Sequence, residues 1–90
     1  MYFKIEDKRI YYNIKKSGNN RAIIFVHGSG GSSYTWKNQV KLDVDYDLIA
    51  LDLPSHDKSD SFSDLSLNLY VDVVRQLIKT LKYEGVILCG

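Results

Sequence analysis

The sequence predicts an α/β fold in which an antiparallel hairpin leads into a parallel sheet with flanking helices. Near the N-terminus, apolar residues recur at every second position, which is typical of half-buried strands. Further along, short continuous apolar runs alternate with segments of helical spacing, as expected when helices connect parallel strands that are buried on both faces. Because the chain has 90 residues, we expect one structural unit, an incomplete α/β domain over 1–90.

The hairpin and the strand after it are predicted from the first third of the chain. Strands are expected near 2–6 and 9–16, because apolar residues recur at every second position in both segments. The turn cluster Ser17–Asn20 ends the second strand. Ala22–Val26 is a short, continuous apolar run rich in β-branched residues, which indicates a strand buried on both faces.

Two helices are expected in the rest of the chain. Tyr34–Leu42 is predicted as a short helix with Ser33 as its N-cap. From Ser66, a candidate N-cap, the apolar residues follow helical spacing until Gly85, which is expected to stop the second helix. The remaining strands are expected at Tyr46–Leu51 and Val86–Cys89.

Composition and charge exclude several functional classes. Twelve basic residues are balanced by eleven acidic ones, for a net charge of +1, so the chain lacks the basic surface of a nucleic-acid-binding protein. The apolar runs are too short to span a bilayer, and the N-terminus lacks the basic and apolar regions of a secretory signal. The single cysteine, Cys89, excludes an internal disulfide and a cysteine-cluster metal site. We therefore expect a cytoplasmic protein that binds neither nucleic acid nor membrane.

Two loops follow the carboxyl ends of predicted strands, where open α/β sheets bind their ligands. The first, residues 27–33, contains three glycines and three serines. Taken alone, it could cradle a phosphate, direct a main-chain N–H at a developing oxyanion, or form a glycine-rich surface turn. The dinucleotide-binding fingerprint does not fit, because Ser33 stands where its last glycine would be, and the Gly-Lys-Ser/Thr of a P-loop is absent.

The second loop, residues 52–65, decides between these interpretations. Ile23–Gly31 is an apolar strand that ends in His-Gly and a glycine-rich loop, and Leu51–Ser59 reads Leu-Asp-Leu-Pro-Ser-His-Asp-Lys-Ser. Together they resemble the α/β-hydrolase family, whose members show His-Gly after an apolar strand and then Asp-x-Pro-Gly-x-Gly-x-Ser. Val86–Gly90 resembles the strand that enters the family's Gly-x-Ser-x-Gly nucleophile elbow, with Gly90 as its first glycine. The resemblance spans nearly the whole chain and implies the N-terminal portion of that fold.

The resemblance implies a hydrolase that acts on an ester or related acyl bond of a small-molecule substrate, without a cofactor or metal. The nucleophile, acid and base would lie beyond residue 90, so the chain is expected to be inactive alone. An aspartate nucleophile would instead give dehalogenase or epoxide hydrolase activity. The alternative from a different class is a non-catalytic fragment or ligand-binding member of the same fold, and a nucleotide-binding domain is a third.

The resemblance also implies roles for five residues. One main-chain N–H of the oxyanion hole would come from Ser29 or, as second choice, from Gly30. Gly28 and Gly31 would let the substrate approach the backbone. Trp36 matches a position that is often aromatic in the family, and we expect it to be half core and half wall of the substrate pocket.

Other polar residues of the two loops are expected to be structural. In the family the equivalent of His27 braces the glycine loop, and His56 is expected on the loop surface. Asp52 and Ser59 are expected to hydrogen-bond within their own loop.

One departure from the family pattern concerns Ser55 and Asp57, which stand where the family has glycines. Aspartate tolerates the left-handed region better than most residues, so Asp57 can keep the turn. Serine does so less readily, which leaves a shift of the loop at Ser55 open.

Overall fold

A computed structural model describes all residues, 1–90, as one five-stranded sheet covered by one α-helix and two short 3₁₀ turns. The strands are β1 (Tyr2–Ile5), β2 (Lys8–Lys15), β3 (Arg21–Val26), β4 (Asp47–Leu51) and β5 (Gly85–Cys89), and the helix is α1 (Leu67–Leu81). The strand order is β1-β2-β4-β3-β5. The β1–β2 hairpin joins β4 in antiparallel pairing, whereas β3 is parallel to both β4 and β5. The predicted α/β class is confirmed, and the sheet is mixed because the hairpin pairs with the parallel strands through β2.

The segment predicted as the first helix forms two 3₁₀ turns instead, at Ser33–Trp36 and Gln39–Lys41. Its N-cap is Ser32 rather than Ser33, because the Ser32 hydroxyl accepts a main-chain N–H two residues later at 3.2 Å. Threonine, tryptophan, asparagine and valine all lower the helix propensity of this stretch. Only Trp36 and Val40 pack against the sheet, so the segment lacks the continuous apolar face that would hold a helix.

The predicted second helix is present as α1. Its N-cap is confirmed, since the Ser66 hydroxyl accepts the Leu69 N–H at 3.1 Å. The predicted stop at Gly85 is wrong, because that glycine begins β5. The helix ends instead at Lys82, which takes the left-handed conformation with φ 56° and donates its N–H to the Ile78 carbonyl at 3.0 Å. No helix in the structure has the length and hydrophobicity needed to cross a membrane.

The two faces of the sheet bury different side chains, because successive residues of a strand point to opposite sides. On one face, Val73 and Leu77 of α1 are fully buried against strand residues that include Ile24 and Ile49. On the other face, Phe25 packs with Leu48 and Ala50 beneath the 3₁₀ turns. Every residue of β4 is buried, so this strand is the centre of the domain.

Asp47, the first residue of β4, is buried in a cluster of hydroxyl groups. Its Oδ1 accepts the main-chain N–H of Ser17 at 2.6 Å and the hydroxyl of Ser17 at 3.1 Å, and its Oδ2 accepts the hydroxyl of Tyr83. Burial raises the pKa of Asp47, but these hydrogen bonds outweigh it and hold the pKa below the ordinary value of 3.8. Burial and the neighbouring carboxylate raise the pKa of Tyr83 above its ordinary value of 10.0. The cluster ties the turn after β2 and the segment after α1 to the central strand.

Candidate active site

The two loops singled out in the sequence leave the same edge of the sheet. They follow β3 and β4, which are neighbouring parallel strands with Val26 paired to Leu51. We call residues 27–33 the glycine loop and residues 52–65 the Asp52 loop. Side chains from each loop accept main-chain N–H groups from the other, so the two loops form one unit at the carboxyl end of the sheet.

His27 braces both loops and keeps no free ring nitrogen. Its side chain is buried, with 4% exposed. Nδ1 lies 2.7 Å from the carbonyl of Gly28, and because a carbonyl can only accept, Nδ1 carries the proton. Nε2 accepts the Leu53 N–H at 3.0 Å. The expected bracing role is therefore confirmed, and it extends across to the Asp52 loop.

His56 is not the surface residue that the sequence predicted. Its ring is half-buried and lies 4.8 Å, between centroids, from the ring of His27. Nδ1 donates to the Pro54 carbonyl at 2.9 Å, and Nε2 accepts the Gly30 N–H at 3.0 Å. The one sequence signal for this contact was that both loops leave the same sheet edge. That signal places the loops together but does not pair the two residues.

The two predicted oxyanion donors have different surroundings. Gly30 takes the left-handed conformation, with φ +82°, and its N–H is held by His56. Ser29 is exposed, and its N–H has no hydrogen-bond partner within the chain. Of the two main-chain groups, only that of Ser29 is free to meet an oxyanion.

An open, apolar cavity of about 460 Å³ adjoins Ser29. Its sheet side is formed by Val26, Leu53 and Leu88, and its other side by residues of α1. The polar residues in its lining are His27, Ser29 and Arg75; the other lining residues are hydrophobic. Apolar surroundings strengthen any hydrogen bond that a main-chain donor makes there.

The other two glycines of the loop differ in the space around them. A Cβ at Gly28 would meet nothing within 4 Å, so the backbone is open there. A Cβ at Gly31 would lie 3.1 Å from the carbonyl of Gly28 and 3.2 Å from the Thr35 hydroxyl. Gly31 also donates its N–H to the Gly28 carbonyl at 3.0 Å. Close packing within the loop therefore favours glycine at position 31, independently of any substrate contact.

Trp36 lies on the opposite face of the sheet from this cavity. Its ring stacks on Phe25 at 5.0 Å between centroids, and it packs against the smaller core cluster. The core half of its expected role is present, but the structure does not bring Trp36 to the cavity beside Ser29. Trp36 ends the 3₁₀ turn Ser33–Trp36, and its indole lies on the sheet.

Asp52 joins the two loops through a fully buried carboxylate. Oδ1 accepts the Ser33 N–H at 2.6 Å, and Oδ2 accepts the Lys58 N–H at 3.2 Å. The hydroxyl of Ser59 donates to the Asp52 carbonyl at 2.5 Å. The expected hydrogen bonds within the loop are confirmed, and the bond to Ser33 adds a link to the end of the glycine loop.

The Asp52 loop is also tied to β2. Ser59 accepts the Tyr11 N–H at 2.9 Å, and Asp60 accepts the Arg9 N–H at 2.7 Å. That N–H, together with the Arg9 guanidinium, holds the pKa of Asp60 below its ordinary value.

No group of three or more His, Cys, Asp or Glu side chains is arranged to hold a metal ion.

Ser55 and Asp57 both keep the left-handed conformation expected of the glycines they replace, with φ 64° and 42°. The hydroxyl of Ser55 accepts the Phe62 N–H at 2.8 Å, which offsets part of the strain at that position. The turn is therefore preserved at both positions, and the loop places His56 between them, over the glycine loop.

The fold and this pair of loops define an α/β hydrolase, and comparison with known proteins agrees. A model described as the alpha/beta hydrolase family matches residues 23–90. The chain belongs to the alpha/beta hydrolase family.

The chain is similar to part of several larger proteins. It is 36% identical over 64 residues to 2-succinyl-6-hydroxy-2,4-cyclohexadiene-1-carboxylate synthase of Yersinia pestis, a match covering 71% of this chain and 22% of that protein. It is 27% identical to the crystal structure of an epoxide hydrolase from Bacillus megaterium, with a TM-score of 0.84 over 98% of this chain and 32% of that one. An esterase from Exiguobacterium antarcticum shares the fold at 22% identity, with a TM-score of 0.88 over 99% of this chain and 34% of its own. The chain spans about a fifth of the length of the curated relatives it matches.

Proposed function

We propose that this chain forms the oxyanion-binding side of a hydrolase acting on an ester or related acyl bond of a small molecule. In this proposal Ser29 supplies a main-chain N–H to the tetrahedral intermediate. The observation that carries it is the contrast between neighbouring amides: the Ser29 N–H is free beside an apolar cavity, while the Gly30 N–H is held by His56.

The chemistry follows from where negative charge develops. When a nucleophile attacks an acyl carbon, the carbonyl oxygen becomes an anion, and a fixed N–H aimed at it stabilises the transition state more than the ground state. Removing one such donor lowers kcat by about 10²–10³-fold. Apolar walls from Val26 and Leu53 beside Ser29 strengthen that hydrogen bond.

We infer further that the nucleophile and its base are not among residues 1–90. Both histidines use both ring nitrogens for contacts within the loops. All of these contacts are with main-chain groups and none is with a serine hydroxyl, so neither histidine is placed as the base of a serine nucleophile. We propose that the 90-residue chain alone does not turn over esters and that the triad is supplied by other residues of a complete hydrolase domain.

A chimera tests the donor. Residues 1–90 replace the matching third of the Exiguobacterium antarcticum esterase, and kcat is measured with p-nitrophenyl acetate. In this chimera Ser29→Pro removes the N–H and is expected to lower kcat by about 10²–10³-fold. The matched variant Ser29→Ala keeps the N–H and loses only the hydroxyl, so its kcat should change less than about threefold.

Two outcomes would count against the proposal. Equal losses in the proline and alanine variants would assign the effect to the side chain, and an unchanged kcat in the proline variant would remove Ser29 from the site. Thermal unfolding of both variants checks that proline has not disrupted the loop. A folded chimera without esterase activity would favour the non-catalytic alternative, and turnover by the unaltered 90-residue chain above its Ser29→Pro variant would refute its expected inactivity.

A further inference from the structure

We propose that His56 is a positioning residue of the glycine loop, whose neutral imidazole holds the Gly30 N–H and releases it on protonation. The contact spans 26 residues of sequence and joins the two loops of the site. It leaves Ser29 as the amide beside the cavity that is free to donate. This last consequence rests on the proposed function, whereas the contact itself does not.

The neighbours of the ring determine where its proton lies. The Pro54 carbonyl, 2.9 Å from Nδ1, can only accept a hydrogen bond, so Nδ1 carries the proton. The Gly30 N–H, 3.0 Å from Nε2, can only donate, so Nε2 must present a lone pair. The two contacts together require the neutral ring in a single tautomer.

Protonation reverses the second contact. A proton on Nε2 would place an N–H donor directly against the Gly30 N–H, so the hydrogen bond would be lost. The Nδ1 contact with the Pro54 carbonyl would remain, since that nitrogen donates in both states. Acid is therefore expected to free the Gly30 N–H, while the His56 ring keeps its hydrogen bond to the Pro54 carbonyl.

The titratable groups named around His56 come from the glycine loop and from its own loop. His27, from the glycine loop, lies 4.8 Å away and uses the same tautomer. Within its own loop, the Asp52 carboxylate is held by the N–H groups of Ser33 and Lys58, and Asp57 is exposed. The Lys58 ammonium lies over the ring of Tyr11 on β2, 4.6 Å from its centroid. Two charged imidazoles this close would repel each other.

We call the contact between the Gly30 N–H and His56 Nε2 the latch. The backbone conformation of Gly30 suits this contact. Its φ of +82° is a conformation that glycine reaches without strain and that other residues rarely adopt. The turn itself is closed by the Gly31 N–H on the Gly28 carbonyl, 3.0 Å away. A further contact links it to the Asp52 loop. His56 provides that contact.

Nuclear magnetic resonance of the ¹⁵N-labelled 90-residue chain tests the latch without any enzymatic turnover. Between about pH 8 and about pH 5, the range in which histidine titrates, the Gly30 amide signal is expected to move with the midpoint of the His56 ring. At the upper end of that range, the ¹⁵N shifts of the ring should show the tautomer with the proton on Nδ1. The other tautomer, or a Gly30 signal that does not titrate, would overturn the proposal.

Two variants separate positioning from general folding. His56→Gln keeps an acceptor near the Nε2 position but does not titrate, so the Gly30 signal should become insensitive to pH. His56→Leu removes the acceptor, and the Gly30 amide should exchange with solvent about fivefold faster than in His56→Gln at the same pH, which corresponds to a net hydrogen bond of about 1 kcal/mol. Unchanged exchange at Ile24 and Ile49 shows that the sheet is intact. A Gly30 signal that still titrates in His56→Gln would assign the effect to His27 and refute the proposal.

The latch and the proposed function fail in different experiments. If the chimera with Ser29→Pro keeps its activity, the oxyanion role is lost, but the titration of Gly30 still measures the latch. If the Gly30 signal does not follow the His56 ring while Ser29→Pro abolishes activity, the latch is refuted and the oxyanion role of Ser29 is retained.

Discussion

A buried, hydrogen-bonded aspartate lies at each end of β4, and the two aspartates differ in what they do for the segments around them. Asp47 begins the strand and Asp52 follows it, and both carboxylates are buried and fully supplied with hydrogen-bond donors. At the Asp47 end the donors come from the turn after β2 and the segment after α1. At the Asp52 end they come from both loops of the candidate site.

The difference lies in what each carboxylate leaves free. Around Asp47, the hydroxyl groups of Ser17 and Tyr83 all point inward to one carboxylate, and the cluster serves only to join segments. Around Asp52, the same kind of anchoring holds the glycine loop at its far end, while the Ser29 N–H stays without a partner. A buried carboxylate can therefore anchor a neighbouring loop so that the main chain of that loop is held in place with an N–H group free.

The largest expected effect is at Asp52. Asp52→Ala leaves the N–H groups of Ser33 and Lys58 without their carboxylate partner and opens a small void at a fully buried side chain, so we expect the free energy of unfolding to fall by about 3 kcal/mol. Urea denaturation measures it. Asp52→Asn, which keeps one oxygen acceptor, should lose clearly less. If alanine lowers the stability by less than about 1 kcal/mol, the Asp52 loop is not anchored as described.

At neutral pH, a substitution at Asp47 should lower the free energy of unfolding less than one at Asp52, and its effect should disappear in acid. Asp47→Asn removes charge-assisted hydrogen bonds and is expected to lower the free energy of unfolding by about 2 kcal/mol at pH 7. Because the pKa of Asp47 is lowered in the folded state, its contribution is present above pH 3.8 and is lost as the pH falls further. Denaturation curves of both proteins at pH 7 and in acid check this. A difference that persists well below that pH would contradict the role of the charge.

Tyr83 should show a smaller effect with the opposite dependence on pH. Tyr83→Phe removes one donor to the Asp47 carboxylate and should lower the free energy of unfolding by about 1 kcal/mol. The raised pKa of Tyr83 means that its contribution is present below pH 10.0 and is lost as the pH rises further. Absorbance titration of the tyrosines in the native chain and in Tyr83→Phe checks the raised pKa. If the variant loses no late-titrating tyrosine, the assignment is wrong.

The smallest expected effect is a gain at the left-handed turn of the Asp52 loop. Asp57→Gly relieves a non-glycine φ of 42° and is expected to raise the free energy of unfolding by about 0.5 kcal/mol, since the relief exceeds the extra flexibility of glycine. Ser55→Gly should gain less, because it also removes the acceptor of the Phe62 N–H. Lys82→Gly, at the end of α1, is the matched control for a left-handed residue outside the site. A larger gain at Ser55 than at Asp57 would refute this ranking.

Sequence reasoning worked best where structure depends on neighbouring residues. The start of α1 follows from a local cap at Ser66 and from the periodic apolar face that follows it, which includes Val73 and Leu77. It failed at the end of that helix, because Lys82 took the left-handed position that local rules assign to Gly85. It also failed before β4, where tight turns replace the expected helix because only Trp36 and Val40 of that segment pack against the sheet.

Within the site, the sequence placed the loops but not their contacts. Strand order brings residues 27–33 and 52–65 to one edge, and the family pattern marks both. The contact between Gly30 and His56 depends on the relative height of two loops and on one side-chain rotamer, neither of which a sequence pattern encodes. The Asp47 cluster had no signal either, since its partners Ser17 and Tyr83 lie 30 and 36 residues away.

The position of β5 at the edge of the sheet gives the domain a built-in reporter. β3 is the one strand beside it. Successive residues of a strand direct their N–H groups to opposite sides, so alternate amides of Gly85–Cys89 face β3 and the others face outward. Amide hydrogen exchange along β5 should therefore alternate between slow and fast, while β4, with a neighbour on each side, is slow throughout. Any polypeptide that adds a strand beside β5 would turn the alternating pattern into uniform protection, residue by residue.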